Sequence, residues 1–332
     1  TPTLECYAGL DTLPRSPGPL LRLQSLGQSV AVLSAGQFGV YMSGCGSRAC
    51  YLDERMNMSD MVYQHWSHRA IVGRTNDEYE VDVDVQPRSN EKKNLFVYDV
   101  VQSRVVSTYA TPYPVALMAS LASGQLALGS PTGDLMVFDP RQAQVSVSVS
   151  GTLSSSKIFP YGFAALESSG NLIATSGYGG LPERPALEPF VKVFDSRMGI
   201  KPLASIPFSN GPSLLRFHPT LRSTVLACSS GGMFSMVDTT GRTLESYFVD
   251  MGGDRVSACD FNLSGDCVVF GGASGGVALW ASGGAERTAT GLVPGYADEK
   301  RASGVWMDEF SSFSLAKNYA VELGMEGSGA TA

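Results

Sequence analysis

The stretch PFVKVFDSRMGIKPLASIPFSNGPSLLRFHP, Pro189–Pro219, decides the fold. An apolar run ends in an aromatic residue and an aspartate, Phe194–Asp195, and a second apolar run begins near Leu214. The same ending recurs in LFVYD (Leu95–Asp99) and LMVFD (Leu135–Asp139). These runs are rich in Val, Phe, Leu and Ile and are bounded by Gly, Pro, Asn and Ser, as expected of β-strands.

Aligned on the closing residue, RACYLD ends at Asp53, LFVYD at Asp99, LMVFD at Asp139, VKVFD at Asp195 and MFSMVD at Asp238. GVALWA carries Ala281 at the matching place, after Trp280. The steps are 46, 40, 56, 43 and 43 residues. A period of roughly 40–45 is that of a four-stranded blade of a WD-type β-propeller. The predicted fold is therefore all-β, with about six blades legible. The long step contains GYGGLPERPALEP (Gly177–Pro189) and the first contains DVDVQPRSNEKKN (Asp82–Asn94); both read as loops inserted into a blade.

Each unit has an inner grammar of strand, glycine turn, strand, glycine turn, strand. LMASLASGQLALGSPTGDLMVFD (Leu117–Asp139) and SACDFNLSGDCVVFGGASGGVALW (Ser257–Trp280) are examples. Such turns need the positive φ that glycine adopts freely. The aromatic packs within the blade, and the aspartate leaves the strand to accept bonds from backbone N–H groups of a turn. Residues 1–282 read as the propeller. Residues 283–332 read as a C-terminal segment with a candidate last strand, VWMDEF (Val305–Phe310), a candidate helix, LAKNYAVELGMEG (Leu315–Gly327), and the start of a linker.

The 332 residues are 43% hydrophobic and 17% charged, a globular composition large enough for a sizeable core. A net charge of −7 argues against nucleic-acid binding through bulk charge. No run is long and apolar enough to span a membrane. Six cysteines without a C-x-x-C pair, and no signal-like start, point to a reducing compartment. The chain starts at Thr1, and a piece of a longer protein is expected.

No constellation assembles into catalysis. Asp99, Asp139, Asp195 and Asp238 read as turn residues of separate blades. GGASGG (Gly271–Gly276) precedes a strand, whereas a phosphate loop precedes a helix. His65 and His68 lack nearby cysteine or carboxylate partners at ligand spacing, and CGSRAC (Cys45–Cys50) lacks a second pair. CGSRAC reads as a turn between strands with free thiols. The two insertions are candidate partner-docking loops.

The run FVKVFDSRMGIKPLASIPFSNGPSLLRFHPTLRSTVLACSSGGMF (Phe190–Phe234), with GDCVVFGGASGGVALW after it, resembles the amino-terminal propeller of the catalytic subunit of the PAN poly(A) nuclease complex. The residues that carry the likeness are Phe190, Lys192, Asp195, Arg197, Arg216, Phe217 and Pro219. PLLRLQSLGQSVAVLSAGQFGVYM is similar to an earlier blade, so the resemblance runs over Pro19–Trp280. It implies a seven-bladed WD40 propeller whose first blade precedes Thr1, and with it an open, aggregation-prone ring. It also implies a longer protein that shortens mRNA poly(A) tails as a 3′–5′ exoribonuclease. The magnesium-binding acidic site of that family lies in a carboxy-terminal domain, so no catalytic, cofactor or metal residue is carried over to this chain. Implied partners are a pseudokinase regulatory subunit and poly(A)-binding protein on the poly(A) ribonucleoprotein, with no membrane. The implied location is cytoplasmic, with P-bodies a candidate. The alternative is a generic WD-repeat adaptor of an unrelated complex.

Overall fold

The computed structural model describes residues 20–25, 29–34, 37–42, 46–52, 57–64, 67–75, 93–141, 144–146, 157–198, 200–241, 243–282, 301–302 and 313–315. Among them, the strands form six antiparallel sheets in chain order. The first holds β1 (Leu20–Ser25), β2 (Ser29–Ser34), β3 (Gln37–Met42) and β4 (Gly46–Leu52). The second holds β5 (Met58–Gln64), β6 (Arg69–Arg74), β7 (Lys93–Asp99) and β8 (Arg104–Ala110). The third holds β9 (Leu117–Ser120), β10 (Leu126–Gly129), β11 (Leu135–Asp139) and β12 (Gln144–Ser146).

The fourth holds β13 (Phe163–Ser169), β14 (Leu172–Leu181), β16 (Phe190–Asp195) and β17 (Lys201–Pro207), with β15 (Arg184–Leu187) paired to the far end of β14. The fifth holds β18 (Leu214–Phe217), β19 (Thr224–Cys228), β20 (Met233–Asp238) and β21 (Thr243–Phe248). The sixth runs β22 (Val256–Phe261), β23 (Cys267–Gly272), β24 (Val277–Ser282), β26 (Phe313–Leu315) and β25 (Arg301–Ala302). The one helical element among the described residues is a 3₁₀ turn, Ser196–Met198.

Successive sheets stack face to face through five apolar cores. Phe38, Met61 and Tyr98 join the first and second sheets; Val97, Met118 and Phe138 the second and third. Phe159, Leu166 and Phe194 join the third and fourth; Val193, Leu215 and Val237 the fourth and fifth. Phe234, Phe270 and Trp280 join the fifth and sixth. Most sheets therefore bury both faces. Their third strands read as largely apolar runs, unbroken in LFVY and LMVF, because alternate residues enter two different cores. In LFVYD, Leu95 and Val97 face the third sheet, while Phe96 and Tyr98 face the first. This is the radial stacking of a β-propeller.

The structure corrects three sequence readings. The strand RACYL is the fourth of its sheet, not the counterpart of LFVYD, which is third. The first sheet's third strand is QFGVYM, which ends at Met42 without an aspartate. The alternation of RACYL imitated the missing signal, and Asp53 lies outside the described residues. In the same way, Gly46–Cys50 of CGSRAC is strand rather than turn. The Gly177–Pro189 insertion is not a loop but a hairpin: β14 runs on to Leu181 and β15 returns against it in the register Tyr178↔Leu187 to Leu181↔Arg184. The two residues between Leu181 and Arg184, Pro182 and Glu183, close the hairpin with a tight connection. Of the other insertion, Lys93 and Asn94 belong to β7, and residues 76–92 lie outside the described residues. So do VWMDEF, most of Leu315–Gly327, and His65.

Candidate functional site: blade-end turns and the axis

The aspartates that close the third strands each anchor a turn. Asp99 Oδ1 accepts from the N–H groups of Val101 and Gln102, both at 2.9 Å. Asp139 Oδ1 accepts from Arg141 N at 2.9 Å, Asp195 Oδ1 from Arg197 N at 2.9 Å, and Asp238 Oδ1 from Thr240 N at 2.8 Å. Two of these turns add an arginine clamp. The Arg141 guanidinium meets the Asp139 carboxylate at 3.0–3.1 Å, and Arg197 meets Asp195 at 2.5–3.0 Å. Arg141 holds Asp139 below the usual carboxylate range. The four aspartates stand on four different sheets, and no group of three or more His, Cys, Asp or Glu able to hold a metal forms among the described residues.

The other residues singled out in the sequence serve neighbouring contacts. Lys192 donates to Ile158 O at 3.0 Å, pairs with Glu188 at 2.7 Å and lies 4.2 Å from the Phe159 ring centroid. It thereby ties the base of the hairpin to the seam with the third sheet. Phe190 is partly exposed at the start of β16, Phe217 packs against the core between the fourth and fifth sheets, and Pro219 is exposed. Trp280 lies edge-on to Phe234 with centroids 4.8 Å apart. His68 sits exposed in the turn after β5, 3.2 Å from the Tyr63 hydroxyl.

His218 is different. It is 1% exposed, and its Nδ1 accepts from the N–H groups of Thr220 (3.3 Å) and Leu221 (3.0 Å). That assigns the proton to Nε2, which points to Gly265 O at 3.3 Å. Burial keeps its pKa below the ordinary imidazole value. The ring thus joins the fifth sheet to the β22–β23 turn of the sixth.

The axis carries a charge cluster that the repeat does not announce. Arg22 on β1 meets Asp60 on β5 at 3.2 Å. Asp60 is buried and also accepts from Met118 N on β9 at 2.6 Å and from Met61 N at 2.8 Å. Arg216 on β18 is bonded to Glu167 on β13 and lies 3.9 Å from Asp260 on β22. All five charges sit on the first strand of their sheets, and these first strands adjoin one another from sheet to sheet. Burial pushes the Asp60 and Glu167 carboxyl groups up, and the arginines oppose that rise. Of the five, only Arg216 was singled out in the sequence as a residue; Arg22 and Asp260 lay within stretches read for their strands alone. A signal was present: each charge interrupts an otherwise apolar first strand, as in LLRLQS and LLRF.

Stacked four-stranded sheets with first strands at the axis and Asp-anchored turns after the third strands define a WD40-type propeller. Among solved structures, the Neurospora crassa Pan2 WD40 domain matches with a TM-score of 0.60 at 16% identity, over 76% of this chain and 71% of that one. A chain of a mitotic checkpoint complex matches with a TM-score of 0.57 at 16% identity, over 81% and 82%. At this identity both show the fold alone. The particular family follows from sequence: the pattern described as PAN2 N-terminal matches residues 2–281, and the chain belongs to that family.

Curated relatives agree. The catalytic subunit of the PAN2-PAN3 deadenylation complex of Schizosaccharomyces pombe is 32% identical over 160 residues, 47% of this chain and 14% of that protein. The corresponding subunit of Cryptococcus neoformans (strain JEC21) is 25% identical over 190 residues, 57% and 16%. The matched part of this chain thus spans about one-seventh of the length of these relatives.

Proposed function

We propose that this propeller is the non-catalytic scaffold of a poly(A)-shortening 3′–5′ exoribonuclease. The observation that carries the reading is the family match over residues 2–281, whose curated relatives are named as deadenylation catalytic subunits. A propeller offers rigid rims and turns for docking, and the charged side chains that cluster at its axis are spent on one another. In this reading the nuclease chemistry, with its magnesium, belongs to a part of the protein outside these residues. The propeller positions that part by binding a pseudokinase regulatory subunit and recognising poly(A)-binding protein on the tail, in the cytoplasm and in P-bodies.

Two assays test the proposal together. The purified region, incubated with 3′-terminal poly(A) and magnesium, is expected to leave the RNA intact. Captured from cell extract with the full-length protein as reference, it is expected to retain the regulatory subunit. Shortening of the RNA by the region alone refutes the non-catalytic assignment. Loss of the regulatory subunit and poly(A)-binding protein together refutes the scaffold.

A further inference from the structure

The axial charges do not form a uniform ring. They divide into two groups, each spanning three consecutive sheets. Arg22 of the first sheet binds Asp60 of the second, and Asp60 accepts from the Met118 backbone of the third. Glu167 of the fourth sheet binds Arg216 of the fifth, and Arg216 faces Asp260 of the sixth. Between the third and fourth sheets, the described first strands are joined by neutral bonds. Ser168 Oγ donates to Ser120 O at 2.6 Å, and Ala122 N donates to Gly170 O at 2.8 Å. Every seam has an apolar core of similar make-up. The third-to-fourth seam carries a charge away from the axis, where Lys192 donates to Ile158 O, so what distinguishes the seams is the arginine–carboxylate pairing at the axis.

We propose that the propeller is built as two three-sheet halves, each fastened at the axis by an arginine–carboxylate clasp, with a hinge line between the third and fourth sheets. Charge-assisted bonds are roughly twice as strong as neutral ones. A carboxylate buried as Asp60 is depends on its arginine, because an uncompensated buried charge is costly. The clasps also feel one another through space: Arg216 favours ionised Asp60, and Arg22 favours ionised Glu167. Cys259, close to Arg216, stays a thiol because burial pushes its pKa up to about 12. The hairpin of β14 and β15 rides on the second half, so flexing at the hinge line changes its placement relative to the first three sheets.

The test is hydrogen exchange read by mass spectrometry on the full-length protein, comparing wild type with R22M and R216M. R216M is expected to speed amide exchange by ~10-fold or more in β13–β24 and to leave β1–β12 near wild type. R22M is expected to do the reverse. Exchange that rises equally in all six sheets, or only in the substituted strand, overturns the proposal. If a single variant does not fold, the paired variants R22M/D60N and R216M/E167Q, which remove both charges of a clasp, carry the same comparison. Uniform acceleration or none in these pairs overturns it as well.

Discussion

Gly265 shows how one residue can hold two sheets. Its φ is +80°, in the left-handed region that favours glycine, and a Cβ placed there would run into the His218 ring. Gly265→Ala is expected to cost roughly 2–4 kcal/mol, from the backbone and the clash together. Gly275→Ala supplies the control. Its φ is +96° but nothing lies within 4 Å of its Cβ position, so it should cost only about 1 kcal/mol of backbone strain. Equal losses in denaturant unfolding of the two variants would refute the His218 contact.

The same histidine sets a pH dependence. Burial depresses its folded-state pKa below 6.5, so the unfolded chain protonates first as pH falls. Its contribution to stability is therefore full above about pH 6.5 and declines below it, by up to about 1.4 kcal/mol per pH unit, until the folded form protonates too. His218→Asn should flatten this part of the stability–pH curve. An unchanged slope between pH 6.5 and 5 would show that other groups set it.

At the scale of elements, the third strands were the most legible because two cores act on them. Both alternating sets are largely apolar, so LFVYD and LMVFD stand out as continuous runs closed by the turn-forming aspartate, and VKVFD as one broken only by Lys192. The residue before that aspartate packs back on the preceding sheet in each case: Tyr98, Phe138, Phe194 and Val237, with Trp280 the sixth sheet's equivalent. The first sheet misled because β3 ends on Met42, and the next strand, β4, ends beside Asp53. The outer strands were quieter. RVVSTYA and KPLASIP cover one edge of a sheet and mix polar with apolar residues.

The axial charges were legible only as interruptions. Nothing in LLRLQS says that Arg22 meets Asp60, because that pairing depends on how two sheets stack. The hairpin extension is likewise a tertiary outcome, and it carries little of the fold. Leu181 at its tip is 72% exposed, and β15 pairs only with β14 among the described strands. Replacing Gly179–Ala186 with a two-residue turn should shift the melting temperature by less than about 3 °C. A drop beyond about 6 °C would show that the hairpin braces the fourth sheet.

For the whole molecule, geometry and family membership together define the account. The stacked sheets establish a propeller, the match over residues 2–281 places it in the PAN2 N-terminal family, and the scaffold role is the proposal built on both. The most direct measurement is the rate at which the full-length protein and a version lacking residues 2–281 shorten two substrates. One is naked poly(A) RNA; the other is the same RNA coated with poly(A)-binding protein. The account predicts that the shortened protein still degrades naked poly(A) but loses much of its activity on the coated RNA. Loss of activity on both substrates alike, or equal activity of the two proteins on the coated RNA, would contradict it.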